Sequence, residues 1–335
     1  MTFRPLLAAL TILPLLQLPA GQANGPTDGT FRAGLDGVLA TLPTNAPAGI
    51  PGAEGWLFFP PELRHLAAAL TNGPGTNPVA PGTPLAAIVD FNAQLKRAGI
   101  SLLVVPVPAK AAIYPEKLVP GTVPSEAWGV LGGDSDFCRV LESNGVATLD
   151  LAPLFRANRD KGAPLYCATD SHWSPEGIRI AAGGMASRVT NAPWFASVPK
   201  REIRTEDRSL SFVGDLQAGT NGTPEAVTLH CASEGGHPPA PWRESPLLLL
   251  GDSHDLVFHS GGEMHAVGSG LPDQLASLIG FPPDLVAVMG SGATPARRTL
   301  ARRRDNLAGK KLVIWCFSAR DLTEAPSWDK VQVIR

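Results

Sequence analysis

Leu247-Leu248-Leu249-Leu250-Gly251-Asp252-Ser253-His254 is the stretch from which the fold is read. Four consecutive apolar residues end at a glycine, the signature of a short strand buried on both faces. The same signature recurs at Leu102 to Val107, Val146 to Leu149, Leu285 to Met289 and Leu312 to Phe317. Helical spacing fills the intervals: Leu85, Ile88, Val89 and Leu95 precede the first run, and a helix is predicted from Glu126 to Leu141 before the second. Strands alternating with helices predict an α/β fold, a three-layer α/β/α sandwich around a mostly parallel sheet.

In such sheets ligands bind beyond the carboxyl ends of the strands, so the polar residues that follow each run are the functional candidates. They are Ser253 with its neighbours after Leu250, Lys110 after Val107, Gly290-Ser291-Gly292 after Met289, and Arg320 after Phe317. Asp150 follows Leu149, and the next loop leads to Thr169-Asp170-Ser171-His172-Trp173-Ser174-Pro175. Gly251 clears space for a tight turn from which the Ser253 hydroxyl can emerge, with the following amide aimed at a developing oxyanion. A serine there could also simply cap the next helix.

A serine hydroxyl becomes nucleophilic when an imidazole takes its proton and a carboxylate fixes the imidazole's tautomer. Asp170 and His172 supply that pair. Ser174 is a good N-cap and Pro175 a good first helical residue, with Ile178, Ala182, Met185 and Val189 as the apolar stripe beyond. Residues two apart in an extended loop diverge, so the turn must bring the carboxylate back onto the ring. An Asp-x-His pair alone also suits a surface or metal-associated role. His254, His259 and His265, beside Asp252 and Asp255, offer metal ligands, but their spacing matches no helical ligand pair. No metal or cofactor is expected.

A formal net charge of −2 and a pI near 6.4 argue against nucleic acid as partner. Arg297, Arg298, Arg302, Arg303 and Arg304 are the local exception, read as a solvated helix face, with an anionic polymer as the alternative. Met1 to Arg4, the apolar run Leu6 to Leu18 and Gly21-Gln22-Ala23 read as a secretory signal peptide over residues 1–23, or a signal anchor if uncleaved. Export permits disulfides, and Cys138, Cys167, Cys231 and Cys316 allow three full pairings that spacing does not distinguish. Residues 24–83, rich in Gly and Pro with turn signals at Asn72-Gly73-Pro74-Gly75 and Pro81-Gly82, read as an irregular leader carrying little core. Within it, Gly55-Trp56-Leu57-Phe58-Phe59 is compact and aromatic and should pack on the body. Residues 84–335 read as the α/β domain that carries the candidate residues, with a polar, loop-rich insertion at about 190–246 laid over the sheet.

Thr169-Asp170-Ser171-His172-Trp173-Ser174 resembles the TD-x-HW-[ST] motif of the alginate O-acetyltransferase AlgJ/AlgX family, a branch of the SGNH hydrolases, and Leu250-Gly251-Asp252-Ser253 resembles its nucleophile block. Gly55-Trp56-Leu57-Phe58, Val105-Pro106-Val107-Pro108-Ala109-Lys110 running to Tyr114-Pro115-Glu116, and Trp315 to Leu322 resemble the remaining blocks in the same order. The match covers about residues 50 to 325. The resemblance implies an SGNH-hydrolase-like fold with a permuted motif order, Asp and His before Ser, and a Ser253, His172, Asp170 triad. It also implies O-acetylation of an exported polysaccharide in the periplasm, with a membrane-bound acyltransferase as acetyl donor.

The oxyanion donors expected are the Ser253 amide with Gly292 or its neighbours, a turn glycine being the alternative for Gly292. Arg320 and Lys110 are candidates for binding a sugar carboxylate or hydroxyls, or for surface ion pairs. The short stretch after the last strand leaves no room for the carbohydrate-binding module of the AlgX type, so the closer resemblance is to the single-domain AlgJ type. Two other readings use the same residues: an esterase that removes acetyl groups, and a non-catalytic polysaccharide-binding or scaffold protein.

Overall fold

A computed structural model describes residues 29–42, 48–72, 80 and 82–335. The signal segment expected over residues 1–23 and most of the turn-rich stretch around 73–81 lie outside them.

Nine strands occur among the described residues: β1 (Ile50–Pro51), β2 (Leu57–Phe58), β3 (Ser101–Val107), β4 (Ala147–Thr148), β5 (Arg204–Phe212), β6 (Glu225–Ser233), β7 (Leu247–Gly251), β8 (Asp284–Ala287) and β9 (Leu312–Ser318). The five apolar runs are the five strands of one sheet, in the order β4-β3-β9-β7-β8 with every neighbour parallel. Alternation within each run explains why both faces had to be apolar. Leu103, Val105, Leu247, Leu249, Ile314 and Cys316 enter one core, while Leu102, Val104, Leu248, Leu250, Val313 and Trp315 enter the other. The four leucines of β7 are fully buried. At about 1.5–3 kcal/mol per side chain they anchor the strand that carries Ser253.

The helix expected from Glu126 to Leu141 is two helices, Pro124–Val130 and Gly133–Ser143, broken at Leu131 and Gly132 where glycine disfavours continuation. The described residues of the segment 24–83 depart from the irregular leader with little core that was expected. Helices Gly29–Ala40 and Pro60–Asn72 flank the β1–β2 pair, and Phe31, Leu35, Trp56, Phe58, Leu63 and Leu66 are buried with the β3 side chains. Turn signals such as Asn72-Gly73-Pro74-Gly75 set the composition of the stretch and overshadow the helical spacing of Phe31, Leu35, Val38 and Leu39 and of Leu63, Leu66 and Leu70.

The segment 190–246 is likewise ordered. β5 and β6 pair antiparallel over nine residues, and Phe212, Leu229 and Cys231 join the main core. β5 is exposed along most of its length and polar on both faces, so it lacks the alternation that marks a half-buried strand, whereas in β6 Val227, Leu229 and Cys231 alternate with Thr228 and His230.

All four cysteines are buried and unpaired. The arginine cluster is only partly a solvated face: Arg297 is buried 5.1 Å from the Trp315 ring and donates to the Asp329 carbonyl, and Arg303 pairs with Asp284 at 2.6 Å. No helix among the described residues is long and apolar enough to cross a membrane.

Candidate active site

The turn after β7 is built by Asp252, whose Oδ1 accepts from the His254 amide (2.8 Å) and the His254 ring (3.0 Å), while Oδ2 accepts from the Ser318 amide at the end of β9 (2.8 Å). Asp252 therefore ties two adjacent strand ends together and starts the short helix Ser253–Asp255. Burial would raise its carboxyl, but the His254 charge and hydrogen bond, with Arg320 and the Ser318 amide, hold it below the usual carboxylate range. Neither the Ser253 hydroxyl nor its amide has a hydrogen-bond partner among the described residues.

Gly251 is required by space. A Cβ there would lie 2.0 Å from the Cys316 carbonyl and 2.2 Å from an Asp255 carboxylate oxygen. Gly251→Ala is expected to destabilise the protein by about 2–3 kcal/mol, read as a lower urea midpoint, because neither neighbour is a flexible chain end. An unchanged midpoint would show that the turn has slack the geometry lacks.

The loop bearing Asp170 and His172 is held from four sides. Leu57 of β2 donates to the Ala168 carbonyl (2.8 Å), Lys110 Nζ to the Asp170 carbonyl (2.6 Å), Glu225 of β6 accepts from the Ala168 amide (2.7 Å), and Asp215 accepts from the Ser171 amide (2.7 Å). Ser174 caps the helix Pro175–Thr190, as its sequence predicts. Clamped in this way, the turn brings the carboxylate back: Asp170 Oδ1 accepts from both the His172 amide (3.0 Å) and His172 Nδ1 (2.7 Å). Asp170 Oδ2 accepts from the Asp215 amide (3.0 Å) and from His265 Nε2 (2.8 Å).

With Nδ1 on the carboxylate, His172 Nε2 is left to exchange a proton. Burial lowers the basicity of His172, but the Asp170 hydrogen bond and charge, reinforced by Asp215 and Asp252, outweigh it and raise the imidazole above its ordinary value. Asp170 is buried too, yet the donors from His172 and His265 hold it far below the usual carboxylate range. His172 also packs on the His254 ring, with centroids 5.0 Å apart.

Ser253 and His172 line one cavity of about 500 Å³, together with Arg320, His265, Met289 and Phe59. The arrangement suits acyl transfer: a hydroxyl with a free amide beside it, and an imidazole oriented by a buried carboxylate.

Two expected ligand contacts are corrected. Lys110 is fully buried and donates to the Leu57, Ala168 and Asp170 carbonyls, so it is an internal clamp on the loop bearing Asp170 and His172 rather than a sugar-binding cation. The Gly292 amide donates to Asp321 (2.9 Å), which takes it out of an oxyanion role. Its lack of a side chain answers instead to Phe317, whose Cβ would stand 2.6 Å from a new one. Arg320 does line the cavity, its guanidinium 5.1 Å from the Phe59 ring and 3.1 Å from the Ser318 hydroxyl.

The three histidines near Ser253 do not converge. His254 pairs with Asp252, His259 with Asp273 and His265 with Asp170. Asp215 and His265 are the residues that sequence reasoning did not assign to the site. Asp215 lies in a segment without readable periodicity, and His265 was visible only as a possible metal ligand.

Residues 50–319 match a family described as the SGNH hydrolase-like domain of the acetyltransferase AlgX. The probable alginate O-acetylase AlgJ of Pseudomonas fluorescens is 27% identical over 175 residues, covering 51% of this chain and 41% of that protein. The alginate biosynthesis protein AlgX of Pseudomonas aeruginosa is 29% identical over 115 residues, or 34% of this chain and 24% of that protein. The chain thus spans less than half the length of these curated relatives. The solved O-acetyltransferase domain of Pseudomonas putida AlgJ superposes with a TM-score of 0.60 at 20% identity, covering 82% of this chain and 92% of that one. Pseudomonas aeruginosa AlgX superposes with a TM-score of 0.55 at 21% identity, covering 83% and 66%. At these identities the superpositions speak for the fold, which is SGNH-hydrolase-like as the resemblance implied.

Proposed function

The chain belongs to the family of SGNH hydrolase-like domains typified by the acetyltransferase AlgX, and from that premise we propose that it is an O-acetyltransferase acting on an exported polysaccharide through an acetyl-serine on Ser253. The observation that carries the reading is the buried Asp170–His172 pair opening onto the cavity that Ser253 also lines.

In the proposed first step the Ser253 hydroxyl attacks the acetyl carbonyl while His172 Nε2 takes its proton, and negative charge gathers on the carbonyl oxygen near the Ser253 amide. His172 then returns the proton to the leaving group, and the acetyl group remains on Ser253. In the second step a sugar hydroxyl gives its proton to His172 and attacks the acetyl-serine. Collapse of that intermediate releases the sugar ester and restores the serine hydroxyl. Arg320 is the proposed contact for the sugar's hydroxyls or carboxylate, a role supported by its position on the cavity wall.

The relatives' association with alginate supports a polysaccharide acceptor. A membrane-bound acyltransferase is the proposed acetyl source, and the basic and apolar N-terminal residues support export to the periplasm.

Intact-mass spectrometry after exposure to an activated acetyl ester tests this reading, with Ser253→Ala beside the wild type and oligosaccharides added in a second arm. An acetyl adduct on the wild type alone that moves onto the sugar is expected. Acetate release without sugar acetylation would make the protein an esterase, and neither adduct nor acetate would leave a binding or scaffold role.

A further inference from the structure

We propose that His265 is a positioning residue for the His172–Asp170 pair, holding the second carboxylate oxygen so that Asp170 is aimed by, and shared between, two imidazoles. The inference rests on the reading of Ser253, His172 and Asp170 as a triad.

Geometry carries it. His265 Nε2 is 2.8 Å from Asp170 Oδ2, the oxygen opposite the one that accepts from His172. The ring is largely buried, with centroids 4.2 Å from Phe212 on β5 and 5.7 Å from Phe258. It also forms part of the wall of the cavity that Ser253 and His172 line.

The backbone adds a second, independent sign. His265 has φ +69° and ψ −49°, outside the regions that side-chain-bearing residues ordinarily adopt. Such a conformation persists where the surroundings over-determine it, and it clusters at functional sites. Gly261, Gly262 and Gly268 take positive φ in the same loop at no steric cost, so a loop that merely had to turn could place glycine at 265 as well. Instead it delivers an imidazole to Asp170.

A carboxylate that accepts from two rings divides its field between them. His172 faces Asp170, Asp215 at 4.0 Å, Asp252 and the His254 ring. His265 faces Asp170 among packed aromatics, with Glu263 the other titratable side chain that its own loop contributes to the cavity. Deleting the donor at 265 returns the whole of Asp170's field to His172, which then holds its proton more tightly. It also leaves Oδ2 with the Asp215 amide alone, so the carboxylate, and the imidazole it orients, are less firmly aimed.

Two substitutions separate this role from packing. His265→Phe keeps a ring between Phe212 and Phe258 and deletes the donor; His265→Gln keeps a terminal N–H near the Nε2 position and deletes the ring. Turnover of an activated acetyl ester is measured against pH for both, for the wild type and for Ser253→Ala, with folding checked by circular dichroism. For His265→Phe we expect kcat to fall about 10- to 100-fold with KM nearly unchanged, and the acid limb of kcat/KM to move up by about half a pH unit or more. His265→Gln should restore most of both. A His265→Phe variant with wild-type kcat and an unmoved acid limb, or a His265→Gln variant as impaired as it, overturns the assignment. If His265→Phe does not fold, His265→Gln decides alone: near-wild-type turnover and limb sustain the role, and a loss beyond about 10-fold ends it. Full activity in Ser253→Ala would instead bring down the triad reading itself, whereas an inactive Ser253→Ala beside a normal His265→Phe removes only His265.

Discussion

Ser253→Ala is expected to lower turnover of an activated acetyl ester by about four to six orders of magnitude, equivalent to about 5–8 kcal/mol of transition-state stabilisation. The size follows from what the substitution deletes. Under the proposed mechanism no acyl-enzyme can form without the hydroxyl, and His172 could at best direct a water through the remaining site. Stability should hardly change, because the hydroxyl has no hydrogen-bond partner among the described residues and the bonds that shape the turn go to the Ser253 carbonyl, from the Leu256 and Val257 amides. Steady-state kinetics beside thermal unfolding check both halves. A loss smaller than about 10-fold in a folded variant would remove Ser253 from the chemistry, since that is within reach of mere repositioning. Transferase and esterase readings both require the large effect, so this experiment weighs the triad and the fate of the acetyl group is judged separately.

The sheet was legible because strands buried on two faces must be apolar at every position, and such runs stand out against helices of mixed character. Position after a strand singled out Ser253, and the loop beyond Asp150 the pair Asp170 and His172; Ser253 and His172 line one cavity, and His172 and Asp170 share a hydrogen bond. The same rule failed for Lys110 and Gly292. It says which end of the sheet a residue occupies, and nothing of whether its polar atoms are already satisfied. Lys110 spends its ammonium on three backbone carbonyls, and the Gly292 amide is taken by Asp321, a partner 29 residues away.

The remaining site residues arrive from a distance that local pattern does not span. Asp215 comes from the connection between β5 and β6, a loop whose own residues carry no periodic signal. His265 is 95 residues from the carboxylate it meets. The helices Gly29–Ala40 and Pro60–Asn72 were missed for a different reason: Phe31, Leu35, Val38 and Leu39, and Leu63, Leu66 and Leu70, do stand at helical spacing, but the Gly- and Pro-rich turn signals around them dominated the composition.

Asp170→Asn is expected to lower the plateau of kcat/KM by about 10⁴-fold while moving its acid limb to lower pH. Asp170 accepts four N–H groups, two on each oxygen, and an amide offers a single oxygen. If the amide nitrogen stands at Oδ2 it confronts the Asp215 amide, which has no alternative, although His265 can shift its proton to the other ring nitrogen. If it stands at Oδ1 it confronts the His172 amide and forces the proton of that ring onto Nε2, the atom needed as base. In either placement the negative charge that, in the proposed mechanism, stabilises the imidazolium in the transition state is lost. In the wild type that charge and hydrogen bond are the leading influences raising His172, against the lowering effect of burial, so activity should fall as pH drops through a value above the ordinary 6.5. Removing them lets burial dominate, and the limb moves down. Folding follows the same linkage. The raised His172 contributes stability below its unfolded value of about 6.5 that is lost as pH rises through the folded one, and the depressed Asp170 contributes stability above about 3.9 that is lost as pH falls. The variant forfeits the second near neutrality, so the profiles must be taken below its own unfolding temperature. His265→Phe should displace the limb in the opposite direction, and a folded Asp170→Asn with an unmoved limb would mean that His172 is not the base titrating in the rate.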